Sequence, residues 1–385
     1  MWYFSSPQIV HGEGALSHLG TLTGERACVV TDATLKRLGL LDQVLAALEP
    51  GGMQVLVIDS VEPDPSLKTV RAGAQQMLDF APQWIVALGG GSVIDAAKGM
   101  WILYERPDID AAAINPIETL GLRGKARFVA IPTTSGTGSE ATWAIVLTDT
   151  DERRKLGLGS REAIPDFAII DPALVAGLPA RLRADTGLDA LTHAVEGFTS
   201  TYASDFTDGL CLHAAKLVFA NLQAAIAGDA AACEHMHNAA TLAGLGFGNS
   251  MAALAHGMGH SLGGVFHVPH GRAVALFLPY TIEFCVRGGG TRYMELARAL
   301  DLPAGDEEQA AAGLVKAIRD LERAVGQPLT LEEAGVSREQ LEAELGLLVD
   351  NAMNDTQTIM ATRIASDEEL RELFRAAWEG RTVEI

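Results

Sequence analysis

The chain has 385 residues, 48% of them hydrophobic and 20% charged, a composition that can bury a sizeable core and does not suit a disordered chain. With 49 acidic against 29 basic residues the formal net charge is −20, which repels phosphate backbones and anionic lipid and so argues against nucleic acid or a membrane surface as partner. The length predicts two domains at roughly 100–200 residues each. The four cysteines, Cys28, Cys211, Cys233 and Cys285, form no CxxC pair, so neither a disulfide framework nor a thiolate zinc site is expected, and a reducing cytoplasm fits. The opening residues lack a basic stretch and place Pro7 and His11 early, against a signal peptide. No run reaches the ~18 uninterrupted apolar residues of a membrane span.

The N-terminal half alternates two periods. Near-continuous apolar runs at Ala27–Thr31, Val55–Asp59, Trp84–Leu88, Phe128–Pro132 and Phe167–Asp171 read as parallel strands covered on both faces. Between them, Leu35–Leu48, Val70–Leu78 and Val93–Leu103 repeat apolar residues at helical spacing, so βαβ units and a parallel sheet are expected. From Leu174 onward helical patterns dominate: Leu188–Phe198, Leu210–Ile226, Ala230–Leu245, Met251–Leu262, Glu307–Val325 and Arg338–Met353, then a helix through Ala377 introduced by Ser366 and Glu369 as a capping box. The expected architecture is an α/β domain over residues 1–178 followed by an all-helical domain over 179–385, punctuated by Pro172 and Pro179.

Three segments carry chemistry. Asp189 and His193 lie at i, i+4 in GLDALTHAVEG, as do His256 and His260 in HGMGHSLGGVFHVPHG, with His267 and His270 following. That spacing puts paired side chains on one helix face. A carboxylate with imidazoles suits Fe(II) or Zn(II). The small, apolar neighbourhoods make unpartnered buried histidines costly unless they share an ion. Spacing alone leaves open which three of the five histidines are ligands. The second segment, ALGGGSVIDAAKG, runs a strand into Gly90, Gly91 and Ser92 and then a helix whose N-terminus favours phosphate; Ser92 is a candidate cap. The third, IPTTSGTGSE, supplies Thr133, Thr134 and Thr137 after another strand. Two such loops at strand ends of one sheet would grip a dinucleotide. Asp32, closing ACVVTD, is equally a helix N-cap or a carboxylate for a ribose 2′-hydroxyl that would select NAD over NADP.

Together FSSPQIVHGEGAL, GGGSVIDAAK, IPTTSGTGSE, ADTGLDALTHAVE, HGMGHSLGG and VPHG resemble the iron-containing (group III) alcohol dehydrogenase family over nearly the whole chain. The resemblance implies a Rossmann-like N-terminal domain, a helical C-terminal domain and metal-dependent, NAD(H)-linked hydride transfer between a small alcohol and its aldehyde. It implies Fe(II), with Zn(II) as the alternative, held by Asp189, His193, His256 and His270. His260 matches a histidine assigned to proton relay. Gly90, Gly91, Ser92 and Asp95, the loop Thr133, Thr134 and Thr137, Lys155, Leu174 and Asp32 match cofactor-binding positions. A homodimer or larger homo-oligomer is also implied. Asp64, where many relatives carry Asn, His267, and the stretch MNDTQTIMATRIASDEEL depart from the pattern, which leaves the substrate open. The rival readings are a dehydroquinate-synthase-like lyase on the same scaffold, a hydroxyacid–oxoacid transhydrogenase, and a metal- or nucleotide-binding protein without turnover.

Overall fold

The structure, a computed structural model, describes residues 3–385. The chain folds into two compact units. One holds the residues through Thr134 together with Gly138–Glu152 and Leu156–Gly177; the other holds Ser135–Thr137, Arg153–Lys155 and Leu178–Ile385. Sequence pattern assigns residues 135–137 and 153–155 to the N-terminal domain. They pack in the helical unit instead, because Gly136 lies against Thr186 and Arg153 pairs with Glu344 at 3.6 Å.

The strands are β1 (Gln8–His11), β2 (Arg26–Val30), β3 (Gln54–Ile58), β4 (Trp84–Gly89), β5 (Arg127–Pro132), β6 (Ala144–Asp149), β7 (Arg154–Gly159) and β8 (Phe167–Ile170). Six form a parallel sheet in the order β1-β8-β5-β4-β2-β3, and β6 pairs with β7. Their alternation assigns each face. Cys28, Val30, Ile85, Ala87, Phe128 and Ala130 share one core with Ile94, Ala97 and Trp101 of the helix after β4. Ala27, Val29, Val86, Leu88, Val129 and Ile131 face the other core with Leu41, Val44 and Leu48. With helices over both faces, no strand position can be polar without loss, which is why these strands read as continuous apolar runs. β1 escapes the sequence pattern because it is four residues long and not buried, and the β6–β7 pair because its strands are only partly buried.

Helices α1 (Ala33–Arg37), α2 (Leu40–Leu48), α3 (Leu67–Phe80) and α4 (Gly91–Glu105) belong to this unit. The single helix expected over Leu35–Leu48 is broken at Gly39, whose φ of 78° no helix admits. β4 and β5 are neighbours, with Gly89 opposite Pro132. The loops that leave their C-terminal ends therefore emerge side by side.

The helical unit contains α5 (Ala180–Thr199), α6 (Asp205–Ile226), α7 (Ala230–Ser250), α8 (Leu254–Phe266), α9 (His270–Arg287), α10 (Tyr293–Ala299), α11 (Glu307–Ala324), α12 (Arg338–Met353) and α13 (Asp367–Glu379) around one apolar core. The Ser366–Glu369 capping box is present. α9 and α10 have no counterpart in the sequence reading. One helix, α6, has the length and mean hydropathy of 1.3 that a membrane crossing would require; it packs against α5 and α7 and buries Cys211, Ala215 and Val218. All four cysteines are buried and free.

Glu322 on α11 is 1% exposed, and its Oε1 has no hydrogen-bond partner. Burial pushes its carboxyl well above the usual carboxylate range, so the folded state holds a proton that the unfolded chain releases above pH ~4.3. Stability is then lost as pH rises above that value. Glu322→Gln removes the loss: it should raise Tm at pH 8 and leave Tm nearly unchanged at pH 4, read by scanning calorimetry. An equal shift at both pH values would overturn this.

Candidate metal centre

Asp189 and His193 face inward from α5, His256 from α8, and His270 is the first residue of α9, after Pro269. One donor atom from each of these four lies within 4.8 Å of every other. Asp189 Oδ1 sits at the middle, 3.5 Å from His193 Nδ1, 3.8 Å from His256 Nε2 and 3.6 Å from His270 Nε2. These separations are too long for hydrogen bonds. Asp189 Oδ1, His193 Nδ1 and His256 Nε2 are all buried without a partner. Three orphaned donor atoms converging in the core would each cost about 1–3 kcal/mol. A divalent cation that accepts mixed N/O ligands satisfies all of them at once, so the residues present fit such an ion.

The electrostatics are those of a buried cluster of ionisable groups. Burial alone would raise the Asp189 carboxyl, yet the surrounding imidazoles hold it below the usual range. Burial drives His193 down to about 3 and His270 well below the ordinary histidine value. Burial also disfavours charge on His256, but the carboxylates of Asp189 and Glu196 outweigh it and raise this ring to about 9.

A second layer of residues aims the donors. Glu196, two turns beyond Asp189 on α5, accepts from His256 Nδ1 at 2.5 Å and from the backbone N–H groups of Ala253 at 3.0 Å and Ala255 at 2.6 Å. One carboxylate therefore caps α8, favourably placed at its positive end, and turns His256 Nε2 inward. The sequence expectation begins this helix at Met251, but Met251 ends α7 at φ 81° and α8 starts at Leu254. His193 is stacked on Phe247, with ring centroids 3.9 Å apart, and its ring donates to the Gly136 carbonyl. A Cβ at Gly136 would lie 2.6 Å from the Thr186 carbonyl oxygen, so only glycine brings the loop this close.

His260 stands outside the cluster. Its Nδ1 is 2.7 Å from Asp355 Oδ2, and Asp355 Oδ1 accepts from the Gln357 N–H at 2.8 Å. The ring stacks 5.2 Å from that of His270. His267 caps the C-terminus of α8 at φ 57° and is exposed, away from the donor group. The histidines left open by spacing are thus separated by the fold. Glu196 and Asp355 were missed. Glu196 was findable, because seven residues after Asp189 returns it to the same helix face; Asp355 lies 95 residues from its partner with no local signal.

The expected cofactor residues divide. Gly90 is the N-cap of α4 and packs against Thr134, whose side chain would be 3.1 Å from a Cβ at Gly90; the two loops meet. Gly91 and Ser92 open α4, where the first N–H groups have no helical partner. Ser92 does not cap the helix: its Oγ accepts from Asp64 N–H at 3.3 Å. Asp64 has φ 53°, a conformation Asp and Asn share. Thr133 is buried, its N–H bonded to the Gly89 carbonyl at 3.0 Å.

Asp95 accepts from Ser139 Oγ at 2.5 Å and Val146 N–H at 2.9 Å, contacts that tie α4 to the segment after β5. Lys98, one turn further and also missed, is fully buried; its Nζ donates to the carbonyls of Ser139 at 2.7 Å, Thr142 at 2.8 Å and Ala144 at 3.0 Å, with burial lowering it to about 8. Leu174 is 4% exposed, its side chain packed in the sheet core. Thr137 and Lys155 fall in the helical unit, Lys155 acting on His270 electrostatically. Asp32 caps α1 with Oδ1, accepting from Thr34 N–H at 2.7 Å and Leu35 N–H at 3.0 Å.

Two family models match the chain: iron-containing alcohol dehydrogenase over residues 6–172 and the C-terminal domain of the Fe-containing alcohol dehydrogenase family over 183–378. The chain is 38% identical to the NADPH-dependent butanol dehydrogenase of Clostridium saccharobutylicum, covering 100% of both chains. It is also 38% identical to the 1-propanol dehydrogenase PduQ of Salmonella typhimurium, over 95% of this chain and 97% of that one. Among solved structures, the iron-containing alcohol dehydrogenase of Thermococcus thioreducens superposes with a TM-score of 0.89 at 31% identity, over 99% of this chain and 100% of that one. A parallel sheet followed by helices that gather an aspartate and three histidines, with this likeness along the full length, makes the chain a member of the iron-containing alcohol dehydrogenase family, a family of oxidoreductases.

Proposed function

We propose that this chain interconverts a small primary alcohol and its aldehyde, with NAD(H) as hydride carrier and a divalent ion, Fe(II) in the first instance and Zn(II) as the alternative, held by Asp189, His193, His256 and His270. The observation that carries this reading is the convergence of buried, unpartnered donor atoms on Asp189 Oδ1. The relatives named for butanol and 1-propanol support a small primary alcohol. When bound, such an ion supplies Lewis acidity toward an alcohol or carbonyl oxygen, and the nicotinamide supplies the hydride chemistry.

The protein's own residues hold, aim and move protons. Glu196 holds His256 through Nδ1, so Nε2 is the nitrogen turned toward the donor group, where a bound ion would take the place of its proton. Asp355 likewise holds His260 through Nδ1, leaving its Nε2 to take up the hydroxyl proton on oxidation and return it on reduction. The N-terminus of α4, with Gly90, Gly91 and Ser92 beside Thr134, offers main-chain N–H groups and a favourable dipole to a pyrophosphate. Asp32 keeps Oδ2 for a ribose hydroxyl after Oδ1 has capped α1, which favours NAD even though one relative is named for NADPH. A homo-oligomer is supported by β1, a sheet edge with one row of main-chain groups unpaired. The buried free cysteines support a reducing, cytoplasmic setting.

A panel of short alcohols and aldehydes assayed with NAD(H), after loading with Fe(II) and separately Zn(II), tests the reading; no turnover with either metal would overturn it. His256→Ala should lower metal content from about one ion per chain to background and abolish turnover; retention of the metal would remove His256 from the ligand set. His260→Gln should slow turnover roughly 10²–10⁴-fold with metal content unchanged, and metal loss would instead make His260 a ligand. NAD should exceed NADP by about tenfold or more in kcat/KM, and Asp32→Ser, which keeps a capping oxygen, should shrink that ratio; equal wild-type values would refute it.

A further inference from the structure

The imidazole of His237 is 1% exposed in the core of the helical unit. Burial holds it neutral, down to about 4. Its Nε2 has no partner, and its Nδ1 lies 3.2 Å from Ser135 Oγ. A buried ring with one nitrogen unsatisfied costs free energy that a leucine at this position would not, so the single bond to Ser135 asks for an explanation.

Ser135 immediately precedes Gly136, whose carbonyl accepts from the His193 ring. The opposite ring nitrogen of His193 is the unpartnered Nδ1 aimed at Asp189. α7 therefore reaches His193 twice: Phe247 stacks on the ring face, and His237 acts through Ser135 and Gly136 on the ring edge. The Ser135–Thr137 segment packs through Gly136 against Thr186, and the bond from Ser135 to His237 ties its first residue to α7. We infer that the Ser135–His237 hydrogen bond is a positioning contact for the metal centre: it sets the Gly136 carbonyl, which sets the rotation of His193 about its Cβ–Cγ bond. The inference rests on the metal reading above. Ser135 and His237 touch no ion and are positioning residues, comparable to the outer partners that orient metal-ligating histidines elsewhere.

The test is a Co(II) titration of the chelator-stripped full chain, followed by the visible absorption of the bound ion. His237→Leu and Ser135→Ala should each weaken Co(II) binding about tenfold or more and shift the cobalt band. His237→Asn, which places an amide nitrogen near the Nδ1 position, should restore affinity to within about threefold. The double variant should bind no more weakly than either single one, since both break one path. Wild-type affinity and band shape in Ser135→Ala overturn the inference, as do effects that add. If circular dichroism shows His237→Leu unfolded, Ser135→Ala decides alone, by tenfold loss or by none. Wild-type protein that binds no Co(II) overturns the metal reading and this inference with it; stoichiometric wild-type binding with unchanged variants overturns only the latter.

Discussion

The helical unit is organised around an aspartate whose inward oxygen no residue hydrogen-bonds. Asp189 Oδ1 has three imidazole nitrogens at 3.5–3.8 Å, near enough to feel one another's charge and too far to share protons. A buried carboxylate in that state is costly, and the surrounding side chains are arranged so that positive charge, and nothing else, relieves it. α5, α8 and α9 must all be in place before the arrangement exists, so the donor set and the packing of the bundle are one constraint.

The supporting contacts follow the same logic. A donor atom binds an ion well only if its ring cannot rotate away, and two of the three donor rings are held at a second point: His256 by Glu196, His193 by Phe247 and the Gly136 carbonyl. His260, held by Asp355, is fixed in the same manner beside the donor group, its ring stacked on that of His270. The α/β unit shows a parallel economy. Asp95 and Lys98, one helical turn apart on α4, lock the segment from Ser139 to Val146 through a carboxylate and a buried ammonium. The N-terminal turn of α4 and the hydroxyls after β5 lie at the C-terminal ends of these neighbouring strands.

Much of this was legible in the residues. Apolar runs at the right length gave the central strands, because a strand covered on both faces tolerates no polar position. The i, i+4 pairs Asp189/His193 and His256/His260 announced two helix faces rich in metal-binding groups. Local capping chemistry marked the last helix through Ser366 and Glu369. Where reading failed, a longer-range contact had outweighed the local pattern. Met251 to Ala253 continue a helical composition but stay outside α8: Met251 ends α7 at φ 81°, and Glu196 caps α8 through the N–H groups of Ala253 and Ala255. No local pattern announced that Leu174 packs in the sheet core or that Asp95 bonds Ser139 and Val146.

By itself the sequence determined the two architectures, the pair of glycine- and threonine-rich loops and a pool of five histidines, since each of these is written in periodicity or short spacing. Only the tertiary structure decided which histidines converge, that His267 turns outward at a helix end, and that Glu196, Asp355, Ser135 and His237 stand behind the donors. Those choices depend on helices far apart along the chain packing at one depth, and no local interaction encodes that depth.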